Sequence, residues 1–373
     1  VRITDVEAIV LRLPDVGDVC DGTQDALVIK VHTDEGIVGI GEADSMPTVV
    51  KAIIDAPVSN SIGHGLRELL LGQDPLHIER LWQRMIDGTL YLGAAGVRLT
   101  AISGVEIALW DILGKTTGMP VWQLLGGAFR RRVRAYASVL FPEDPDDLET
   151  VRTTAARLRQ QGFSAMKFGW GGFGRSRRSD VALVEAARKG AGDDVDLMID
   201  VGLCWDARTA LERADALAEF RLHWLEAPLP FHPVQAYAEL CDRSPIRISC
   251  ETPGGYWESV EFLRRGKLHV ILPDASNVGG IGQWKRVADA ARTEGAWCVP
   301  HCFSTGILTA ASLHLVANQP ATDLVECSEQ GSPLNTALVR PAFRAIDGYV
   351  DISDAPGLGV ELDETMVERF RVA

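Results

Sequence analysis

Residues 196–226 read DLMIDVGLCWDARTALERADALAEFRLHWLE: a short apolar run, a helix-like stretch and a second short apolar run. The first run closes on Asp200 and the second on Glu226. Short apolar runs bounded by turn signals suit strands buried on both faces, and RTALERADALAEF has the spacing of an amphipathic helix. The same unit recurs in both directions. VRAYASV (133–139) and SAMKFGW (164–170) precede it; IRISCE (246–251), LHVILPD (268–274), WCVPHC (297–302) and DLVECS (323–328) follow. Helix-like stretches such as VRTTAARLRQQ, DVALVEAARKG and WKRVADAARTEG lie between most of them. Eight strands alternating with helices make an α/β chain and fit a closed parallel barrel better than a doubly wound open sheet.

The chain before residue 133 follows another pattern. DALVIKVHTDEGIVGIGEA has two alternating runs joined at Asp34-Glu35-Gly36, a hairpin signal. GVRLTAISGVEIALWDILGK then places Ala101, Ile102, Val105, Ala108, Leu109 and Ile112 at the spacing of one buried helical face. Strands followed by helices predict an α+β capping domain over residues 1–125. The barrel is expected over 126–330, and a segment over 331–373 that packs back on the cap.

Bulk composition narrows the function. Of 373 residues, 46% are hydrophobic, enough for a large core, and the net charge is −14 with Lys and Arg scattered. Nucleic acid and anionic membrane are poor partners for such a surface. No run approaches the roughly 18 apolar residues of a membrane span. The start, VRITDVEAIVLRLP, alternates like a strand and lacks the layout of an export signal. Seven cysteines, with no CxxC pair, suit free thiols in a reducing cytosol, so a cytoplasmic location is expected. Cys298, His301 and Cys302 lack the distant ligand pair that a zinc site normally recruits.

Charged residues stand at successive strand ends: Lys167, Asp200, Glu226, Glu251, Asp274, His301 and Glu326. An ionised side chain inside a barrel is costly unless paired or bound to metal, yet these ends converge on the mouth where barrel active sites lie. Asp200, Glu226 and Glu251 come from three consecutive strands. Three carboxylates facing one point repel one another and call for a cation, and all-oxygen ligation selects Mg²⁺ or Mn²⁺. Lys167 can offset the remaining negative charge and contact a substrate carboxylate. Asp274 and His301, on adjacent strands, predict a carboxylate-oriented general base.

These positions resemble the mandelate racemase group of the enolase superfamily over nearly the whole chain. The motifs are GIVGIGEA and AISGVEIALWDILGKTTGMPVWQLLGG in the cap, and MKFG, LMIDV, WLEAPL, PDASNVGGIGQW and PHCFSTGI in the barrel. The resemblance implies a (β/α)₇β TIM-type barrel, Mg²⁺ on Asp200, Glu226 and Glu251, and a catalytic dyad of His301 and Asp274. It also implies that Glu326, or alternatively Glu329, helps bind the enediolate, and that a cap loop around Cys20, Asp21 and Gln24 sets specificity. A homo-oligomer acting on a small carboxylate, often a sugar acid, is implied as well. Three positions depart from the family pattern. Gly169 replaces the second lysine of Lys-x-Lys, Gly202 follows Asp200 in place of asparagine, and Ala227 follows Glu226 in place of glutamate.

Gly169-Trp-Gly171-Gly-Phe-Gly174 satisfies GxGxxG after a strand, but Arg-Ser-Arg-Arg-Ser intervenes before Asp180 where a dinucleotide site needs a helix at once. It is better read as a loop beside the mouth whose Arg175 reaches a distal substrate group. The expected function is dehydration of a sugar acid. A racemase, epimerase or cycloisomerase on the same site is the runner-up, and a non-catalytic binding barrel would require broken ligand positions.

Overall fold

The computed structural model describes every residue except Ser45, Pro253 and Ala373. Strands β1 (Ile3–Arg12), β2 (Asp25–Thr33) and β3 (Val38–Ala43) form an antiparallel sheet in that order. The β2–β3 turn falls at Asp34–Gly36, with Thr33 and Ile37 bonded across it.

Eight further strands run parallel: β4 (Arg132–Leu140), β5 (Ala165–Gly169), β6 (Asp196–Asp200), β7 (Trp224–Glu226), β8 (Ile248–Cys250), β9 (Val270–Ile271), β10 (Trp297–Cys298) and β11 (Leu324–Ser328). Each of β4 to β9 pairs with the next, and β11 returns beside β4, curling the sheet round on itself. Among the described residues the ladder is open only between β10 and β11. A helix follows each of β4 to β10, from Leu148–Gln160 to Gly306–Ala317, whereas β11 is followed by the four-residue helix Pro333–Thr336 and, near the end of the chain, by Glu364–Phe370. The fold is therefore a (β/α)₇β barrel with an N-terminal α+β cap.

The helix Val97–Thr117 is buried more completely than its apolar spacing predicts. Ala101, Ile102, Val105, Ala108, Leu109 and Ile112 are buried, but so are Ser103, Glu106, Ile107 and Asp111 on other faces. It lies between the cap sheet and the barrel, and polar residues on the second face carry the join. Glu106 accepts bonds from the backbone N–H groups of Ile281 (2.7 Å) and Gly282 (2.9 Å), at the start of the barrel helix Ile281–Thr293. Glu42, near the end of β3, does the same one helix later. It accepts from Ser304 Oγ, Thr305 N (3.1 Å), Thr305 Oγ1 (2.5 Å) and Leu308 N (3.0 Å) at the start of Gly306–Ala317. A helix N-terminus offers unpaired N–H groups and partial positive charge, so a carboxylate there is stabilised by both. Two cap carboxylates thus seat the cap on consecutive barrel helices.

The C-terminal segment contributes β12 (Val339–Arg340), β13 (Tyr349–Asp351) and β14 (Glu361–Leu362). It touches both parts: β13 pairs with the start of β4, Leu11 bridges Arg371, and Lys30 pairs with Glu364 at 2.8 Å. No helix among the described residues is long and apolar enough to cross a membrane. All seven cysteines are free thiols, and Cys241, Cys250, Cys298 and Cys302 are buried.

Candidate active site

Side chains alternate along a strand, so residues two apart face the same side. Tyr136, Ala165, Met198, Trp224, Leu272, Val299 and Leu324 form an apolar layer inside the barrel. Two residues further along the same strands come Ser138, Lys167, Asp200, Glu226, Asp274, His301 and Glu326. All but Asp274 line a single cavity of about 220 Å³, together with Glu251. The polar layer thus sits directly on an apolar plug, at the mouth end of the barrel.

At its centre is a buried lysine. Lys167 Nζ lies 2.7 Å from Glu226 Oε1 and 2.8 Å from Glu326 Oε1. Burial disfavours its charge, but the two carboxylates outweigh that and hold its pKa well above the usual lysine range. Glu326 also accepts from the backbone N–H of Cys302 at 2.8 Å. Burial would raise its pKa, but Lys167 and His301 hold it low. Glu226 accepts on its other oxygen from the Trp224 indole at 2.9 Å.

His301 Nδ1 lies 2.7 Å from Asp274 Oδ2 and 3.6 Å from Glu251 Oε1. The ladder of β9 ends at Ile271 and that of β10 at Cys298, and an isolated parallel bridge between Asp274 and His301 restores the pairing further on. Asp274 is fixed in turn by Ser276, whose N–H (2.6 Å) and hydroxyl (2.5 Å) donate to its other oxygen. Burial opposes a charge on the imidazole, but Glu251 and Asp274 outweigh it and raise the histidine pKa well above its usual range.

Asp200, Glu226 and Glu251 occupy neighbouring positions in this layer, Asp200 being in register with Glu226. Burial pushes all three carboxyls above their usual range. A divalent cation with a preference for oxygen donors suits such a set. The most compact group of ligand-type atoms is nevertheless Glu251, Asp274 and His301, within 4.8 Å of one another. The short contact from Nδ1 to Asp274 is that of an N–H donating to a carboxylate, which leaves Nδ1 no lone pair for a metal. The donor chemistry therefore fits Mg²⁺ on the three carboxylates, with Glu226 turned toward Lys167 here.

Other expected contacts lie elsewhere. Asp21 does not line the cavity; its carboxylate accepts from Thr23 N and Oγ1 in a local turn, while the flanking Cys20 and Gly22 face inward. Gln24 spends its amide on Gly17 N (2.7 Å) and Gly17 O (3.1 Å), tying the loop to itself. Arg175 is exposed and pairs with Glu143 at 3.3 Å, outside the cavity. Glu329 lines a different cavity with Phe163 and Phe343, so Glu326 alone of the two glutamates faces the site. Cys298 and Cys302 stay out of the group of ligand-type atoms around His301.

Residues 149–366 match the enolase C-terminal domain-like family, and residues 16–126 the mandelate racemase/muconate lactonizing enzyme N-terminal domain. The chain belongs to the mandelate racemase group of the enolase superfamily. It is 32% identical to a D-galactarolactone cycloisomerase of Agrobacterium fabrum, over 93% of this chain and 91% of the relative. It is 31% identical to a D-galactonate dehydratase of Cronobacter sakazakii, over 91% and 90%. The structure of a Streptomyces coelicolor racemase with bound magnesium superposes with a TM-score of 0.87, at 28% identity over 99% and 100% of the two chains.

Within this enolase-superfamily framework two of the departures are physically linked. Gly169 pairs with Asp200, and a Cβ there would stand 2.5 Å from Asp200 Cβ. Gly202 sits under the Trp170 ring, which a Cβ would approach to 2.8 Å. Trp170 has a left-handed backbone (φ 56°) and donates its indole N–H to Asp200 Oδ2 at 3.0 Å, while Gly202 N donates to Oδ1 at 2.9 Å. Gly169, Trp170 and Asp200 thus line the cavity side by side, with Asp200 packed where a side chain at 169 would begin. Sequence reading missed Trp170, Phe303 and Asp44, all of which line the cavity. A period-2 continuation of GIGEAD, from Glu42 to Asp44, was the signal for the last of these.

Proposed function

We propose that the chain is an Mg²⁺-dependent sugar-acid dehydratase, converting an aldonate or aldarate to its 2-keto-3-deoxy acid. The observation that carries this reading is the asymmetry of the mouth. One wall offers His301 oriented by Asp274; the opposite position is Gly169, packed against Asp200. Racemisation needs a base on each face, whereas β-elimination needs one.

Asp200, Glu226 and Glu251 would hold Mg²⁺, which supplies positive charge beside the substrate carboxylate as negative charge develops there. Glu251, the carboxylate that does most to hold His301 charged, would be engaged by the metal, which frees the ring to be neutral; with Nδ1 bonded to Asp274, His301 then takes the α-proton on Nε2. Lys167 balances the carboxylate charge, and Glu326 fixes Lys167 and borders the enediolate. The imidazolium then returns its proton to the β-hydroxyl departing on the same face. Water leaves, and the enol tautomerises to the 2-keto acid. In this reading residues 1–125 are the cap, 126–330 the catalytic barrel and 331–373 a return segment. It also takes the protein to be a cytoplasmic homo-oligomer, for which fractionation and sedimentation are direct tests.

A second reading is favoured by the cycloisomerase relative at 32% identity. If the departing β-oxygen is part of a ring, the same steps open the ring and lose no water. Screening aldonates, aldarates and their lactones in D₂O by NMR separates the two readings. A 2-keto-3-deoxy product from an open-chain acid, absent with His301→Asn, supports the dehydratase. Inversion at C2 without loss of water would refute both eliminations.

A further inference from the structure

Asp44 has no role in the chemistry above. It follows β3, two residues beyond Glu42, and is 8% exposed. It lines the cavity with His301 and also borders an adjoining pocket of the cap that includes Cys20, Gly22 and Arg12. Glu42, fully enclosed, is met by four donors. Asp44 has no hydrogen-bond donor among the described residues. Burial, then the negative charge of Asp274, pushes its pKa well above the usual carboxyl range, with Glu42 and Glu251 adding to the shift and His301 opposing it.

The contrast between the two carboxyls is informative. A buried polar group left unpaired is destabilising, and native structures satisfy nearly all of them. Where the cap uses a carboxyl to dock, it is saturated with donors; two residues on, a carboxyl is left bare and turned into the site. Its partner has to come from whatever fills the cavity. Asp200, Glu226, Glu251 and Glu326 line the same cavity, so a further carboxylate is a poor partner there. A hydroxyl, able both to donate and to accept, meets the need whether the carboxyl is neutral or ionised.

We infer that Asp44 is a substrate-binding carboxyl of the cap: it takes a hydroxyl on the carbon chain of a polyhydroxy acid held against His301, and so selects sugar acids over simple 2-hydroxy acids. The inference rests on the sugar-acid reading of the site, and its test separates the two. The Mg²⁺-loaded His301→Asn enzyme, which binds without turnover, is titrated calorimetrically with lactate, glycerate, threonate and galactonate, a series of increasing hydroxyl count. Binding is expected to tighten along the series. Adding Asp44→Ala removes one step of that gain, a loss on the order of 10- to 100-fold for the longer acids, and leaves lactate and Mg²⁺ affinity unchanged. Asp44→Asn, closest to the native shape, keeps part of the step and guards against misfolding. A uniform loss across all four acids, no loss at all, or tighter binding of 4-amino-2-hydroxybutanoate than of threonate overturns the inference and leaves the sugar-acid reading standing. If none of the acids binds the Mg²⁺-loaded enzyme, it is the sugar-acid reading that fails, and the role of Asp44 falls with it.

Discussion

Gly169→Ala is the smallest change that probes the one-sided mouth. The added Cβ would lie 2.5 Å from Asp200 Cβ, 3.0 Å from Asp200 O and 3.2 Å from Asp200 Cγ. Carbon atoms pack best at about 3.5–4.0 Å, so roughly 1 Å must open between β5 and the Asp200 side chain. Forcing one methyl group into a packed interior costs about 1–3 kcal/mol. The displaced carboxylate also loses alignment with Gly202 N and Trp170 Nε1, which hold its two oxygens. The expected outcome is a lower urea midpoint at unchanged slope and a weaker calorimetric Mg²⁺ affinity, by about tenfold for each 1.4 kcal/mol transmitted to Asp200. Gly169→Lys should suffer at least as much and gain no C2 inversion, since the lysine has no room beside Asp200. A Gly169→Ala protein with native midpoint and native Mg²⁺ affinity would refute the steric reasoning, and with it the claim that this wall is closed to a second base.

Lys167→Met strands Glu226 and Glu326 without their shared cation; breaking a buried pair costs about 3–5 kcal/mol, readable as a lower melting temperature in chelator at pH 7 that recovers partly at pH 5 as the glutamates protonate. His314 is held neutral, accepting from Trp122 N–H and bonded through Nε2 to Leu358 O, and burial lowers its pKa from 6.5 to about 4. The unfolded chain therefore binds a proton first as pH falls, so stability present above pH 6.5 is lost toward pH 4, by about 3 kcal/mol at 1.36 kcal/mol per unit; His314→Gln should flatten that part of the urea-midpoint profile, and an unchanged slope would count against it. Glu251→Gln removes one ligand charge and should weaken Mg²⁺ and abolish turnover, whereas full activity in a verified metal-free enzyme would remove the metal from the mechanism.

What the sequence revealed follows from strand geometry. Lys167, Asp200, Glu226, Asp274, His301 and Glu326 were legible because each ends an apolar run, and the two-residue alternation projects them into one layer. Register also separates Glu326 from Glu329, three residues on, which reaches another cavity. Asp21 and Gln24 were read as substrate contacts, yet both bond within their own loop. Short polar side chains compete for nearby backbone groups, and no spacing rule foretells when they succeed. Trp170 and Asp44 lie just beyond strand ends, where a left-handed backbone or the docking of the cap decides the direction of the side chain. The full burial of Val97–Thr117 depended on a partner surface more than 150 residues away in sequence.

The seating of Glu42 and Glu106 on two barrel helices limits how this enzyme can breathe. Swinging the cap away would strip both carboxylates of their donors at once, and because these contacts are buried, salt cannot loosen them. The segment between Leu13 and Gln24 is joined across its base by one backbone hydrogen bond and puts Cys20 and Gly22 on the cavity wall, Gly22 close against the Phe303 carbonyl. None of the contacts that seat the cap runs through that segment, so its residues can change while the frame that holds the chemistry stays as it is.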